Sequence, residues 1–248
     1  MSRSRCGGVT AILVGAAVLA ILAGGCGRET ASSTSSSSER WCREGDASPA
    51  CADEVYGTFA DLQAEGRGET VIDLPDDIGD ARAGVVRMTY EGDAPLVVWS
   101  LDEEHVEQMI LIDATIGLVA SDPGEFDGET MWWPANDPPR ALRVEGDGSW
   151  ELSVLPVSAA PPLESEGRGI RVYLYDGPGG VVSGHKPNTE VGMSLTQFRL
   201  TTDGGTPKEL VTERTRTADF RARLDPGPSV LIVGHRGPWT LELPIEEW

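Results

Sequence analysis

The side chains able to do nucleophilic, acid–base or ligating chemistry are scattered through this 248-residue sequence. Its three histidines, His105, His185 and His235, stand apart from one another and from the four cysteines. None has the Cys or His company that a zinc site requires. Ser183 and His185 are two residues apart. As nucleophile and base they would share one backbone and would still need an acid to orient the imidazole. The run Gly180-Val181-Val182-Ser183-Gly184 approximates a nucleophile elbow but lacks the strand-turn-helix context that exposes the serine. HExxH, phosphate-loop and dinucleotide-binding patterns do not occur. With no catalytic residue to name, the chain reads as a non-enzyme, and a hydrolase with an unrecognised site is the rival.

Carboxylates are plentiful, which weakens any one pair as a site. Asp76-Asp77 and Asp102-Glu103-Glu104 read as solvated loops. Asp122, Glu125, Asp127 and Glu129 place four oxygen donors within eight residues of a turn-rich stretch. Such a stretch is either a plain acidic turn or a calcium loop, since calcium favours flexible oxygen cages; no other cofactor is implied. Trp132 and Trp133 are adjacent, so on a strand they point to opposite faces and one is free to stack on a sugar ring, with Asn136 and Asp137 near to take its hydroxyls. The alternative has one in the core and the other covering a sheet edge. Trp99, Trp150 and Trp239 fall on core-like faces and read as packing. Arg214, Arg216, Arg221 and Arg223 form the one basic cluster. In extended strands they would grip phosphate or carboxylate groups of an envelope polymer, or else form surface ion pairs with Glu213 and Asp219.

The cysteines give the address. A basic start (Arg3, Arg5), an apolar stretch from Val9 to Ala23 and the small residues Gly24-Gly25 precede Cys26, the three parts of a secretory signal peptide over residues 1–25. The stretch is too short for a membrane-spanning anchor, which takes roughly 20 residues. Leu22-Ala23-Gly24-Gly25-Cys26 resembles a bacterial lipobox, which implies that Cys26 is lipidated and becomes the first residue of a protein held to the outer face of the cytoplasmic membrane. The serine-rich run in residues 26–40 suits a flexible tether. Cys6 leaves with the signal. Cys42 and Cys51 are then an even pair in an oxidising compartment, and a disulfide across so short a loop is worth about 2.5–3 kcal/mol.

Charge bounds the partners. The formal charge is −20, and loss of residues 1–25 removes two arginines and no acid, taking it to −22. Nucleic acid is excluded, because binding it demands a basic surface, and attachment to anionic headgroups is equally disfavoured.

The elements that must position these residues are strands. Alternating runs separated by Gly, Pro, Asp and Asn predict strands over 70–74, 84–90, 95–101, 107–112, 129–133, 140–145 and 149–155. One short helix is expected within 52–64, where Val55, Phe59 and Leu62 recur at helical spacing. The disulfide-stapled segment with that helix occupies 41–65. An internal repeat follows. Gly66-Arg67-Gly68 opens the first half and Gly167-Arg168-Gly169 the second. Leu142-Arg143-Val144 leads to Trp150-Glu151-Leu152 as Leu231-Ile232-Val233 leads to Trp239-Thr240-Leu241. The fold expected is all-β, two small tandem antiparallel β-sandwiches of jelly-roll kind over 66–156 and 167–248, joined by a linker at 157–166. A single larger sandwich is the alternative.

The segment Gly84–Pro162 resembles a β-rich repeat of extracytoplasmic proteins and lipoproteins of high-GC Gram-positive bacteria. The residues that carry the likeness are Pro95-Leu-Val-Val-Trp-Ser-Leu-Asp102, Thr115-Ile-Gly117, Leu142-Arg-Val-Glu145, Gly148-Ser-Trp-Glu-Leu152 and Ser158-Ala-Ala-Pro-Pro162. The second half shares only its terminal Trp hairpin. The resemblance implies a non-catalytic β-sandwich at the cell surface and brings no defined ligand. The expected role is an interaction module that holds an envelope protein or glycan, with a structural spacer as a further alternative.

Overall fold

The computed structural model describes residues 42, 47–101, 107–109, 124–132, 139–187, 192–200, 208–213 and 218–244. Helix α1 (Pro49–Tyr56) begins where Ser48 caps it, its side chain accepting from the Cys51 amide at 3.3 Å, with Pro49 in the first turn. It ends at Gly57, whose φ of 88° is one that side chains resist. Cys42 and Cys51 form a disulfide with Cα atoms 5.7 Å apart. The helix expected within 52–64 is therefore corrected. It starts three residues earlier and stops at Tyr56, and Leu62 already belongs to a strand. Phe59 lies in the extended link and packs its ring on Trp132, centroids 5.8 Å apart. The spacing of Val55, Phe59 and Leu62 thus comes from three segments, Val55 packing in one apolar cluster and Phe59 and Leu62 in another.

Sixteen strands follow among the described residues. The first eight are β1 (Leu62–Arg67), β2 (Thr70–Asp73), β3 (Gly84–Gly92), β4 (Val97–Leu101), β5 (Glu107–Met109), β6 (Gly124–Trp132), β7 (Ala141–Glu145) and β8 (Ser149–Pro156). The next eight are β9 (Glu166–Arg168), β10 (Arg171–Tyr175), β11 (Gly180–His185), β12 (Met193–Arg199), β13 (Lys208–Glu213), β14 (Asp219–Leu224), β15 (Ser229–Gly234) and β16 (Pro238–Glu242). A second short helix, α2 (Asp76–Gly79), sits between β2 and β3.

The sheets run β1-β8-β3-β6 and β2-β7-β4-β5, then β9-β16-β11-β14 and β10-β15-β12-β13. Adding eight to each strand of the first pair generates the second pair. The order is that of a jelly roll, so the chain is two jelly rolls in tandem. Each encloses its own core. Val86, Met88, Val98, Leu142 and Leu152 meet between the first two sheets, and Val182, Leu195, Leu231, Val233 and Leu241 between the second two.

The repeat noted in the sequence has one structural motif at its centre. Gly66 pairs with Trp150, and Gly167 with Trp239. Each indole lies against its glycine so closely that a Cβ there would collide with the ring. Each indole N–H then donates to the glycine two residues on, Trp150 to the Gly68 carbonyl at 3.0 Å and Trp239 to that of Gly169 at 3.1 Å. Gly68 and Gly169 adopt φ of 72° and 77°, turning the carbonyl toward the ring.

A third apolar cluster joins the two jelly rolls. Val85, Met131 and Leu155, on the outer face of β1-β8-β3-β6, pack with α1 and with Val172, Leu174, Phe198 and Val230 on the outer face of β10-β15-β12-β13. Glu129 is buried at its edge. It accepts from the Arg87 guanidinium at 2.8 Å and from the Val172 amide at 3.2 Å, so one carboxylate ties both jelly rolls together. Asp127 pairs with Arg171 at 2.7 Å beside it.

Candidate functional site

Strand alternation sends every second side chain of β1-β8-β3-β6 outward. Where the seam ends, the outward residues become polar and line an open groove of about 680 Å³. Glu65 and Arg67 come from β1, Ser149 and Glu151 from β8, Thr89 and Glu91 from β3. Glu65 stands directly across the ladder from Glu151, and Thr89 flanks Glu151 on the other side. Two like charges in register repel rather than stabilise. No described cation forms an ion pair with Glu65, Glu91 or Glu151.

The groove is braced from below by Tyr90. Its hydroxyl donates to Asp147 at 2.7 Å, and the same carboxylate oxygen accepts the amides of Asp93 at 3.0 Å and Ala94 at 2.9 Å. The hydrogen bond from Tyr90 holds the Asp147 carboxyl below the usual carboxylate range, and burial pushes the tyrosine hydroxyl up.

The corresponding sheet of the second jelly roll has a groove of about 530 Å³ lined by Ser183, His185, Asp219, Arg221, Thr240 and Glu242. Asp219 supplies the acid partner that the sequence did not reveal for His185, at 2.8 Å from Nδ1. Ser183, however, donates to Glu242 at 2.8 Å. Its proton is directed to a carboxylate on the neighbouring strand. His185 is half exposed on a flat sheet, where water competes with any developing charge. No catalytic motif emerges from this arrangement.

The other expected site residues fall out as follows. Cys26, Asp122, Trp133, Asn136, Arg214 and Arg216 lie outside the described residues. Glu125, Asp127 and Glu129 belong to β6, so the turn-rich loop imagined for them is a strand. Asp127 is held by Arg171, and Glu129 by Arg87 and Val172. Among the described residues no three Asp, Glu, His or Cys side chains are grouped to hold a metal ion. Trp132 is 4% exposed and covered by Gly84, so it packs the core and offers no platform. Trp150 and Trp239 pack as expected. Trp99 does not: it points outward from β4, half-buried, with the Arg143 guanidinium 5.7 Å from its ring centroid. Arg221 and Arg223 share the outer face of β14, both exposed.

No family model matches the chain, and no curated protein does. Among solved structures, a "putative alpha-L-fucosidase" from Bacteroides ovatus ATCC 8483 is 12% identical with a TM-score of 0.22, covering 78% of this chain and 37% of that one. This chain thus spans little more than a third of that protein. The regulatory domain of Toxoplasma gondii PKA with cAMP is 12% identical with a TM-score of 0.17, covering 73% of this chain and 77% of that one. At such scores neither likeness bears on function.

Proposed function

We propose that the protein is an extracytoplasmic lipoprotein, anchored through Cys26, whose jelly-roll body is a non-catalytic interaction module of the cell envelope. The observation that supports it best is the first groove. Glu65, Glu91 and Glu151 are exposed, converge on one open surface, and form no ion pair with a described residue. Opposed carboxylates cost stability unless a cation or donor enters between them. Such a surface selects cationic side chains, so the partner is an envelope protein presenting a basic segment. A glycan is the second reading; Ser149, Thr89 and the carboxylates offer its hydroxyls partners, but Trp132 is withdrawn from stacking. The lipobox resemblance and the serine-rich tether support the address.

Two measurements test the two parts. Cys26→Ala should lose palmitate labelling and leave the membrane fraction; equal labelling of both forms would sink the anchor. For the groove, a photo-crosslinking side chain at Ser149 on living cells should capture a basic partner, and the Glu65→Gln/Glu151→Gln form should lose that capture. Undiminished capture by the double variant would refute the groove as the contact.

A further inference from the structure

The ladders fix which residues of the two jelly rolls correspond. Matching Trp150 with Trp239 aligns Leu152 with Leu241, whose partners across the ladder are Met88 and Gly184. Three residues earlier along those strands, Val85 then corresponds to Val181. Val85 faces Met131, and Val181 faces Arg223, so Met131 corresponds to Arg223. By the same register Glu129 corresponds to Arg221. On the other sheets, matching Gly66-Arg67-Gly68 with Gly167-Arg168-Gly169 aligns Val71 with Val172 and Asp73 with Leu174. The ladder agrees, since Val71 pairs with Arg143, Val172 with Ile232, and the two partners are themselves equivalent.

Val85 and Val172 are buried in the seam between the jelly rolls. Their counterparts, Val181 at 61% and Val71 at 52%, are the large hydrophobic residues exposed among those described. The chain therefore buries one outer face of each kind against the other, and leaves Val71 on one remaining face and Val181 on the other exposed. The open faces have also changed charge, and on the β2-β7-β4-β5 face Arg143, which replaces Ile232, is paired with Glu145 at 2.7 Å, leaving Asp73 as the charge set against the arginines of the other. Where the seam has Glu129 and Met131, the open face of β9-β16-β11-β14 has Arg221 and Arg223. Where it has Leu174, the open face of β2-β7-β4-β5 has exposed Asp73.

We propose that a second copy of the chain docks head to tail, its face carrying Val71 and Asp73 seated on the face carrying Val181 and Arg223. The contact repeats the geometry of the internal seam with charge pairs in place of part of the apolar area. It is heterologous, so copies can add in rows. It uses the second groove and leaves the first groove open, and it stands whether or not the first groove binds a partner.

Full-length Val71→Cys and Val181→Cys proteins, each in a Cys6→Ser/Cys26→Ser background, are mixed and mildly oxidised. The result expected is a disulfide dimer holding one of each variant, several-fold above that given by an exposed Glu65→Cys control mixed with either. Both substitutions are at exposed positions and leave the cores untouched. Dimers no more abundant than the control, or equal amounts from one variant alone, would overturn the proposal. Adding Arg223→Glu to the Val181→Cys protein should reduce the mixed dimer to control level, and Asp73→Arg in its mate should restore it. Reduction without restoration would also overturn it.

Discussion

A single glycine carries much of what each jelly roll needs. Gly66 and Gly167 let an indole lie flat across the neighbouring strand and reach the carbonyl of Gly68 or Gly169. Gly66→Ala and Gly167→Ala should each cost about 1–3 kcal/mol by overpacking, read by urea denaturation. Near-zero loss at either would show that the ring can shift. His235 makes a different residue-scale argument. It is buried, Nδ1 donates to the Gly192 carbonyl at 3.1 Å, and Nε2 has no partner among the described residues. Burial holds its pKa below the ordinary 6.5, with the Lys186 charge acting the same way. A histidine whose pKa is lower folded than unfolded binds more protons when unfolded. Stability is therefore full above the unfolded value and is lost as pH falls through 6.5 toward the folded one. The melting temperature should fall between pH 7.5 and 5.5, and His235→Gln should flatten that fall. An unchanged slope in the variant would place the sensitivity elsewhere.

At the scale of elements, legibility in the sequence followed burial. Strands with one wet face, such as β3 and β8, show Val86, Met88 and Tyr90 or Trp150, Leu152 and Val154 at period two, and both were foreseen. Strand β1 is hidden, because its inward Gly66 is bare to admit Trp150 and Ala64 is small, leaving little apolar alternation to read. The early part of β6 reads as a turn for the same reason, Gly128 lying beneath Phe126. The acid partner of His185 was invisible since Asp219 arrives from a strand 34 residues on. The seam did leave a trace: Val85 beside Val86 breaks the alternation of β3 by making both faces apolar. Its polar edge is open to test. Glu129→Ala strips the buried Val172 amide of its acceptor, and an unsatisfied buried donor costs about 1–3 kcal/mol. Denaturant titration should show that loss. Arg87→Ala should cost less, as its side chain is half exposed and the carboxylate keeps the amide.

The described body is two repeats that touch through unlike faces. Each core is built almost wholly from its own half, with only Ile170 and Ile232 of the second reaching the first, so the individual cores do little to oblige the jelly rolls to unfold together. Coupling must come from the seam, where α1, held by the Cys42–Cys51 disulfide, packs with residues from both halves. Neighbouring repeats whose interface is strong unfold as one unit, and those whose interface is weak unfold separately. The described body should therefore show a single calorimetric transition with matching calorimetric and van't Hoff enthalpies. Val85→Asp, which places a charge in the seam without touching either core, should split it into two. Two transitions in the unaltered protein would mean that the seam does not couple the halves. A single transition in the variant would mean that α1 and the Glu129 bridge suffice, and adding Glu129→Ala would then separate them.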